Sequence, residues 1–351
     1  TPTPQSSNGI TLAPKISKND GKLDWGQNTN QVVNRFRALS SNPGVWSLLG
    51  VSRIKIDSLV TVSVPNQIKP AEIVVDGERL FVGVLDGAID PNITIEEQTR
   101  VQAVAFDKAL ENFMVDCPLY KDCPLPINAT PAFFTDLFNK VSQTPLTIGD
   151  RKITEGQVVT GTASALYDDV SGWPSLRTAI TQALVGDGTT FAELSDTYSG
   201  RNENGTYKNN ENDANVVIEC LDWHQRQSNN QIKAKAASFS RSAPVFGPYV
   251  AYGSITCNLL NQSLNRTPVN AAKITQIRNT ATPVLVIGTT QDPATPYAWA
   301  KALANYIAGS RLITLKGEGH TGYGRGSACT DDAVDAYLLT GTIPTKNLSC
   351  T

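Results

Sequence analysis

Two stretches decide the fold of this chain: Pro283-Val-Leu-Val-Ile-Gly-Thr-Thr-Gln-Asp292-Pro-Ala-Thr-Pro296 and Gly317-Glu-Gly-His320-Thr-Gly-Tyr-Gly324. Each belongs to an apolar, β-branched run that ends in polar residues and glycines, which predicts a buried strand delivering a side chain at its C-terminal edge. The first strand delivers Asp292 and the second delivers His320. Their separation of 28 residues suits one strand–helix–strand unit, so both side chains are predicted at the same edge of a parallel sheet.

The order of these two residues points to a chemistry. Asp followed by His is the second half of the Ser…Asp…His order of α/β-hydrolases. In such a triad His320 would be the general base, and Asp292 would orient it and stabilise the imidazolium. Taken singly, Asp292 before a proline would also suit a helix cap, and His320 could be a histidine of a glycine-rich loop without a partner.

The nucleophile of such a triad is missing from the pattern. It should be a serine on a Gly-x-Ser-x-Gly turn between a strand and a helix, and no such pentapeptide occurs in the 351 residues. Ser164 and Ser254 lie in segments that lack the strand–turn–helix setting, so neither is expected to act. The Gly-rich loop that completes an oxyanion hole is also missing, and the chain alone is expected to be inactive.

Composition is that of an ordinary globular protein, with a net charge of −2. The charge is uneven: residues 1–83 carry nine basic and six acidic groups, and the rest carry 21 and 26. Neither balance demands a nucleic-acid or membrane partner. No apolar run approaches the ~20 residues of a transmembrane helix, and no signal-peptide pattern occurs.

Six cysteines follow residue 116, and their spacing suggests three disulfides and an exported protein. The suggested pairs are Cys117 with Cys123, Cys220 with Cys257, and Cys329 with Cys350. Six reduced, buried cysteines are the alternative, since sequence alone cannot fix connectivity. With two histidines and no Cys-x-x-Cys, neither a metal site nor a cofactor is expected.

The first part of the chain predicts a small barrel. Residues 1–8 are linker-like, residues 30–39 have helical periodicity, and short strand-like runs separated by turns follow up to residue 83. These runs are 45–49, 52–56, 58–62, 72–75 and 79–82. One helix followed by an antiparallel, OB-like barrel over residues 9–83 is the natural interpretation.

This part resembles the C-terminal domain of methionyl-tRNA formyltransferases. The motifs are Gly9-Ile-Thr-Leu-Ala-Pro-Lys15, Leu23-Asp-Trp25, Asn42-Pro-Gly-Val-Trp46 and Pro70-Ala-Glu-Ile-Val-Val75. The resemblance implies a β-barrel that helps to hold tRNA and carries no catalytic group. Lys15, Arg35 and Arg37 could contact phosphates, and a solvated basic face is the alternative.

From residue 84 the chain changes character to a strand, a long helical region and then strand–helix alternation. Residues 90–275 are predicted to form a helical lid, and 276–351 a C-terminal catalytic subdomain. The predicted helices are 96–116, 129–141, 173–184, 191–198, 296–308 and 329–339, and the predicted strands are 84–87, 283–288 and 311–315.

Residues 84–351 resemble the tripeptidyl-aminopeptidase-like branch of the α/β-hydrolases. The motifs include Val84-Leu-Asp-Gly-Ala-Ile-Asp90-Pro, Leu166-Tyr, Trp173-Pro, Ile218-Glu-Cys220-Leu-Asp222, Asp292-Pro-Ala-Thr-Pro-Tyr297 and Gly319-His320-Thr-Gly-Tyr323. The resemblance implies a secreted serine peptidase that releases short peptides from N-termini. Glu219 and Asp222 could receive the α-ammonium group of a peptide, or could simply face solvent on a helix.

The sequence thus predicts a partial α/β-hydrolase that joins a barrel abruptly near residue 83, as in a chimera. Such a sheet would have a bare apolar edge at 82–87 or 283–288, which predicts a loose or self-associating chain. Peptides are the expected partners, tRNA binding through residues 9–83 is the alternative function, and no membrane partner is expected. The two parts suggest different compartments, exported for the hydrolase part and cytoplasmic for the barrel.

Overall fold

The computed structural model describes residues 18–23, 35, 38–39, 44–49, 52–56, 85–86, 88, 90, 93–222, 227–253, 255–260 and 284–351. The chain divides into two compact units, residues 1–80 and residues 81–351. Each unit is described by itself.

The first unit contains an antiparallel hairpin of β1 (Val45–Leu49) and β2 (Ser52–Ile56). A 3-10 helix, Lys18–Gly21, is tied to it, because Trp46 donates its indole N–H to the Lys18 carbonyl at 3.0 Å. Residues 35, 38 and 39 are helical, within the helix predicted at 30–39. The strands predicted at 58–62, 72–75 and 79–82 lie outside the described residues, so the barrel stays a prediction.

The described part of the second unit contains a four-stranded parallel sheet in the order β3-β6-β7-β8. Its strands are β3 (Leu85–Asp86), β6 (Leu285–Gln291), β7 (Arg311–Glu318) and β8 (Leu348–Cys350). The first three were predicted, and β8 is an addition. Of the two strands expected to expose an edge, 82–87 or 283–288, the second does not, because β6 pairs with β3 on one side and β7 on the other. Among the described strands, β3 pairs only with β6.

Helices cover both faces of this sheet, as a parallel sheet requires. Leu285, Ile287 and Ile313 pack with Val334 and Tyr337 of a C-terminal helix. The alternate residues Val284, Val286 and Leu312 pack with Ala300 and Ile307 on the opposite face. The period of two along β6 and β7 therefore fills both layers with apolar side chains.

The remaining helices lie in a segment that we call the lid, defined as the described residues between 95 and 260, its loops included. They are α1 (Ile95–Asp116), α2 (Ala132–Gln143), α3 (Glu155–Ala165), α4 (Gly172–Leu184), α5 (Thr189–Ser199), α6 (Glu211–Asp222), α7 (Asn229–Phe239), α8 (Gly247–Gly253) and α9 (Ile255–Leu260). The sheet helices are α10 (Tyr297–Tyr306) and α11 (Ala328–Thr340). An antiparallel hairpin joins β4 (Leu146–Ile148) to β5 (Arg151–Ile153).

The lid has an aromatic core of its own, which also includes one residue of the loop after β6. Phe113, Phe134 and Trp173 meet edge-to-face, with ring centroids about 6 Å apart. Ala294, two residues after Asp292, belongs to the same buried cluster. Gln102 of α1 donates its side-chain N–H to the Ala294 carbonyl at 2.7 Å. The loop after β6 is thus anchored in the lid.

Three disulfides join Cys117 to Cys123, Cys220 to Cys257, and Cys329 to Cys350. They confirm the expected pairs over the alternative of reduced cysteines. The second links α6 to α9, and the third links the start of α11 to β8. Within the described ranges, no helix is both long and apolar enough to cross a membrane. No group of His, Cys, Asp or Glu in that same part of the chain is placed to hold a metal ion.

Candidate active site

The carboxylate of Asp292 is buried directly after the C-terminal end of β6, with 2% of its side chain exposed. Its Oδ1 accepts the backbone N–H groups of Ala294 and Thr295 at 2.9 and 2.8 Å. Its Oδ2 accepts the Thr295 hydroxyl at 2.9 Å and the Thr321 N–H at 3.1 Å. Four donors from two loops therefore fix the orientation of the carboxylate, and none of them belongs to a histidine side chain.

His320 completes this arrangement from the loop after β7. Its Nδ1 lies 2.9 Å from Oδ2 and 3.0 Å from Oδ1 of Asp292. Because the carboxylate oxygens are fixed as acceptors by their other partners, Nδ1 donates to them, and in a neutral imidazole the lone pair is then on Nε2. Nε2 makes no hydrogen bond to any residue that the structure describes, and 25% of the side chain is exposed. Asp292 and His320 were predicted to lie at the same edge of the sheet, and in the structure their side chains are in contact there.

The backbone around His320 is held in an unusual conformation. Gly319 has φ +86° and Thr321 has φ +67°, a region that suits glycine and is rare for a β-branched residue. The Thr289 hydroxyl donates to the Thr321 carbonyl at 2.6 Å, and the Thr321 N–H donates to Asp292. These contacts from β6 and its loop hold Thr321 where its local preference would not.

Tyr167 of the lid contacts His320 in two ways. Its carbonyl accepts the His320 backbone N–H at 2.8 Å, and its ring lies edge-on to the imidazole with centroids 5.0 Å apart. Burial, and after it the neighbouring Tyr198, raises the pKa of Tyr167 well above its ordinary value, so the phenol stays neutral. The lid thus supplies one wall of the site.

Sequence reasoning missed three residues that shape this site: Thr295, Tyr167 and Arg325. Thr295 and Tyr167 stand inside quoted motifs, Asp292-Pro-Ala-Thr and Leu166-Tyr, but nothing in the spacing assigned them a contact. Arg325 lies five residues after His320 in a glycine-rich run, where a charged residue normally faces water. Tyr167 and Arg325 act through loop-to-loop contacts, which one-dimensional spacing does not encode. Thr295 bonds to Asp292 three residues before it, and its hydroxyl also lies 3.3 Å from Nδ1 of His320.

The other predicted residues fall elsewhere. Glu219 and Asp222 belong to α6, and their side chains lie outside the described part of the structure. Arg35 is helical and half-buried in the first unit, and Lys15 and Arg37 lie outside the described residues. Ser164 is a residue of α3, where its carbonyl accepts the Tyr167 N–H at 3.2 Å. It therefore does not stand on a strand-to-helix turn. Ser254 lies outside the described residues.

Comparison with known proteins gives a family for each end of the chain. Residues 243–350, which include Asp292 and His320, match the family model of TAP-like proteins. Residues 15–109 match the model of the formyl transferase C-terminal domain, which reaches beyond the predicted boundary at residue 83 into α1. That boundary stays a prediction.

Full-length relatives point in the same two directions. The chain is 31% identical over 287 residues to serine protease Hip1 of Mycobacterium tuberculosis, covering 78% of this chain and 54% of the relative. It is 32% identical over 290 residues to carboxylesterase B of the same organism, covering 78% and 52%. It is 34% identical over 97 residues to a methionyl-tRNA formyltransferase of Mycolicibacterium vanbaalenii, covering 26% and 31%. The chain spans about half the length of serine protease Hip1 and of carboxylesterase B.

Proposed function

We propose that the second unit, residues 81–351, supplies the acid–base half of a serine hydrolase. His320 is the general base, and Asp292 is the residue that orients it. The observation that carries this proposal is the bond between Nδ1 of His320 and a buried carboxylate already held by four other donors. Such a pair presents Nε2 to a hydroxyl nucleophile in the tautomer that accepts its proton.

In the proposed reaction a serine hydroxyl attacks the substrate carbonyl while Nε2 of His320 takes its proton. The imidazolium then gives that proton to the leaving group, and the Asp292 carboxylate stabilises the positive charge throughout. The resulting acyl-serine is hydrolysed by water, which His320 activates in the same way. Every proton in both half-reactions passes through Nε2.

The serine of this reaction is proposed to come from a segment other than these 351 residues, because they contain no Gly-x-Ser-x-Gly turn. Loss of a triad serine lowers kcat by about 10⁶ in a well-studied serine protease. The 351-residue chain by itself is therefore proposed to be inactive.

Peptides are the proposed substrates, cleaved from the N-terminus. The name of one relative, serine protease Hip1, supports peptide chemistry, and the name of another, carboxylesterase B, makes ester cleavage the alternative. Glu219 or Asp222 is the proposed acceptor of the substrate ammonium group, with a helix-surface role as the alternative. The three disulfides support an oxidising, exported setting.

Complementation tests this function. The full chain is mixed with a recombinant, serine-bearing N-terminal segment of a TAP-like relative, and release from a tripeptidyl-coumarin amide and from a p-nitrophenyl ester is measured. Activity is expected only in the mixture, higher on the peptide, and Asp292→Asn should lower it about 10³–10⁴-fold. Ester cleavage without peptide cleavage would favour the alternative substrate. Activity that survives His320→Gln unchanged would contradict the proposal.

A second candidate function concerns the first unit alone. The match of residues 15–109 to the formyl transferase C-terminal domain favours tRNA binding through Lys15, Arg35 and Arg37. Three phosphate contacts predict that affinity for tRNA falls about 40-fold between 50 and 200 mM salt. Filter binding across that range, with the three residues replaced by glutamine, checks it. An affinity that salt and the replacements leave unchanged would contradict this function.

A further inference from the structure

Arg325 joins the loop that carries His320 to the lid. The His320 loop is residues 319–326, and the lid turn is residues 167–169. Nη1 of Arg325 donates to the Tyr167 carbonyl at 2.9 Å and to the His320 carbonyl at 3.1 Å. Nη2 lies 3.0 Å from Oδ1 of Asp169 and 3.5 Å from Oδ1 of Asp168. One guanidinium therefore contacts the backbone on both sides of the gap between loop and lid.

The same carbonyl of Tyr167 also accepts the His320 N–H at 2.8 Å. His320 is thus held at its N–H directly by the lid turn and at its carbonyl by Arg325, which is itself held by that turn. The planar fork of the guanidinium suits this double bridge, and the single ammonium of a lysine does not. With 18% of its side chain exposed, Arg325 makes these contacts largely shielded from water.

The absence of a side chain at Gly319 leaves space for the Arg325 guanidinium. A Cβ on Gly319 would lie 2.6 Å from both Nη1 and Nη2 of Arg325 and 2.6 Å from the Tyr167 carbonyl oxygen. The glycine before His320 therefore serves the packing of the guanidinium as well as the positive φ. Burial opposes ionisation of Asp168, but hydrogen bonds from Ser171 and Val170 and the Arg325 charge keep the pKa of that carboxyl below its ordinary value.

The backbone on both sides of His320 has positive φ, so the position of this residue depends on the contacts around its loop. Non-glycine residues with positive φ persist only where surrounding contacts hold them, and Thr321 is such a residue. If the contacts to the lid turn are lost, Thr321 keeps its bonds to Thr289 and Asp292. The backbone of His320 then loses its partners in the lid turn and at Arg325, so the imidazole can shift away from the carboxylate. The Asp292 side is anchored in β6 and the lid core, so the His320 side is the one that moves.

We propose that Arg325 is a positioning residue, which holds the His320 loop against the lid turn and so keeps the imidazole aligned with Asp292. The proposal deepens the proposed function of the same site, on which it rests. It assigns to the lid a role in aligning the general base, in addition to forming a wall of the site.

The chain contains two histidines, so NMR of ¹⁵N-histidine-labelled full-length protein can follow one imidazole directly. His320→Asn assigns the signals, and the readouts are the tautomer and the solvent-exchange rate of the Nδ1 proton. The wild-type protein should show a protected Nδ1 proton. Arg325→Met should exchange at least about tenfold faster, because it loses charge-assisted hydrogen bonds to the loop. Arg325→Lys should restore part of the protection.

Arg311→Met is the matched control. Arg311 also donates to backbone carbonyls, those of Gly309, Ser310 and Pro344, but at the opposite end of β7. It should lower thermal stability to a similar extent and leave the imidazole signals unchanged. An equal gain in exchange rate in both variants would reduce Arg325 to a structural role and overturn the proposal.

Unchanged tautomer and exchange in folded Arg325→Met would also overturn it. If that variant does not fold, Arg325→Lys and Asp169→Asn carry the test, and exchange equal to the wild type in both would contradict the proposal. A wild-type protein without a protected Nδ1 proton would instead contradict the Asp292–His320 pair itself, and with it the proposed function. The two failures are therefore distinguishable.

Discussion

At the scale of single residues, Asp292 and His320 differ in how much of the fold depends on them. Asp292 is buried and accepts three backbone N–H groups and one hydroxyl from two loops. His320 is partly exposed, and among the described residues its side chain is bonded through Nδ1 alone, to that carboxylate and at 3.3 Å to the Thr295 hydroxyl. The aspartate is therefore a structural as well as a chemical residue, and the histidine is mainly chemical.

Alanine replacements should separate these roles. Asp292→Ala leaves three backbone donors without their acceptor and should lower the free energy of unfolding by about 3 kcal/mol. His320→Ala should cost less than about 1.5 kcal/mol, since the carboxylate keeps its other four donors. Urea unfolding followed by circular dichroism compares the two. Equal costs would mean that the loops do not depend on the carboxylate as the hydrogen bonds indicate.

Gly319 and Gly324 offer a matched pair within the His320 loop. Both have positive φ, but a Cβ on Gly319 would overlap Arg325 and Tyr167, whereas one on Gly324 meets nothing within 4 Å. Gly324→Ala should therefore cost about 1 kcal/mol from backbone strain alone, and Gly319→Ala about 2–4 kcal/mol. Thermal unfolding of both variants measures the difference. A smaller cost at Gly319 would contradict the close packing of loop and lid.

At this scale the sequence predicted the pair itself and little of what surrounds it. Asp292 and His320 each follow an apolar run, so their place at the sheet edge could be predicted. The roles of Tyr167 and Arg325 depend on which loops meet in three dimensions. No local pattern near those residues records that meeting.

At the scale of elements, the buried carboxylate of Asp107 holds the start of a lid helix that lies about 140 residues later in the chain. Oδ2 and Oδ1 of Asp107, on α1, accept the backbone N–H groups of Val245 and Phe246, just before α8, at 2.9 and 2.8 Å. These N–H groups precede the first turn of α8 and would otherwise be buried without a partner. Burial raises the pKa of Asp107 to about 6, although the two N–H groups oppose that shift.

This carboxyl should make stability depend on pH. Its pKa rises from an ordinary 3.8 to about 6 on folding, so the folded state binds the proton more tightly. Its stabilising contribution is complete below about pH 3.8 and is lost as the pH rises through 6. The loss is on the order of 2–3 kcal/mol.

Urea unfolding at pH 4.5 and pH 7, for the wild type and for Asp107→Asn, checks this expectation. The variant should remove most of the decline in stability between the two pH values, because its amide does not titrate. Asp136→Asn, at an exposed position of α2, is the control and should leave the decline in place. A decline of the same size in Asp107→Asn would assign the pH dependence to another group.

The elements that the sequence predicted are those with strong periodicity or an apolar run. The helix predicted at 96–116 is α1, and the strands predicted at 283–288 and 311–315 are β6 and β7. The helices α3, α6, α7, α8 and α9 lie within the predicted helical region 90–275, but no separate bounds were predicted for them. β8 was missed because three residues, Leu348–Cys350, are too few to show alternation.

At the scale of the whole molecule, two segments of one chain match two different protein families. The formyl transferase match ends at residue 109 and the TAP-like match begins at 243, and relatives of the hydrolase type extend over 78% of the chain. The sheet that carries the site has four described strands, and β6 lies inside it, paired with β3 and with β7. A self-associating edge at β3, a barrel in the first unit and the junction near residue 83 stay predictions.

The most direct test of the central claim is labelling of the purified 351-residue chain with a fluorophosphonate probe, measured by intact mass. The claim is that these residues carry an aligned Asp–His pair without the serine that it would activate. No adduct is expected, while a serine-bearing TAP-like relative labels under the same conditions. A single stoichiometric adduct on one serine, lost in His320→Gln, would show an activated nucleophile within this chain and contradict the claim.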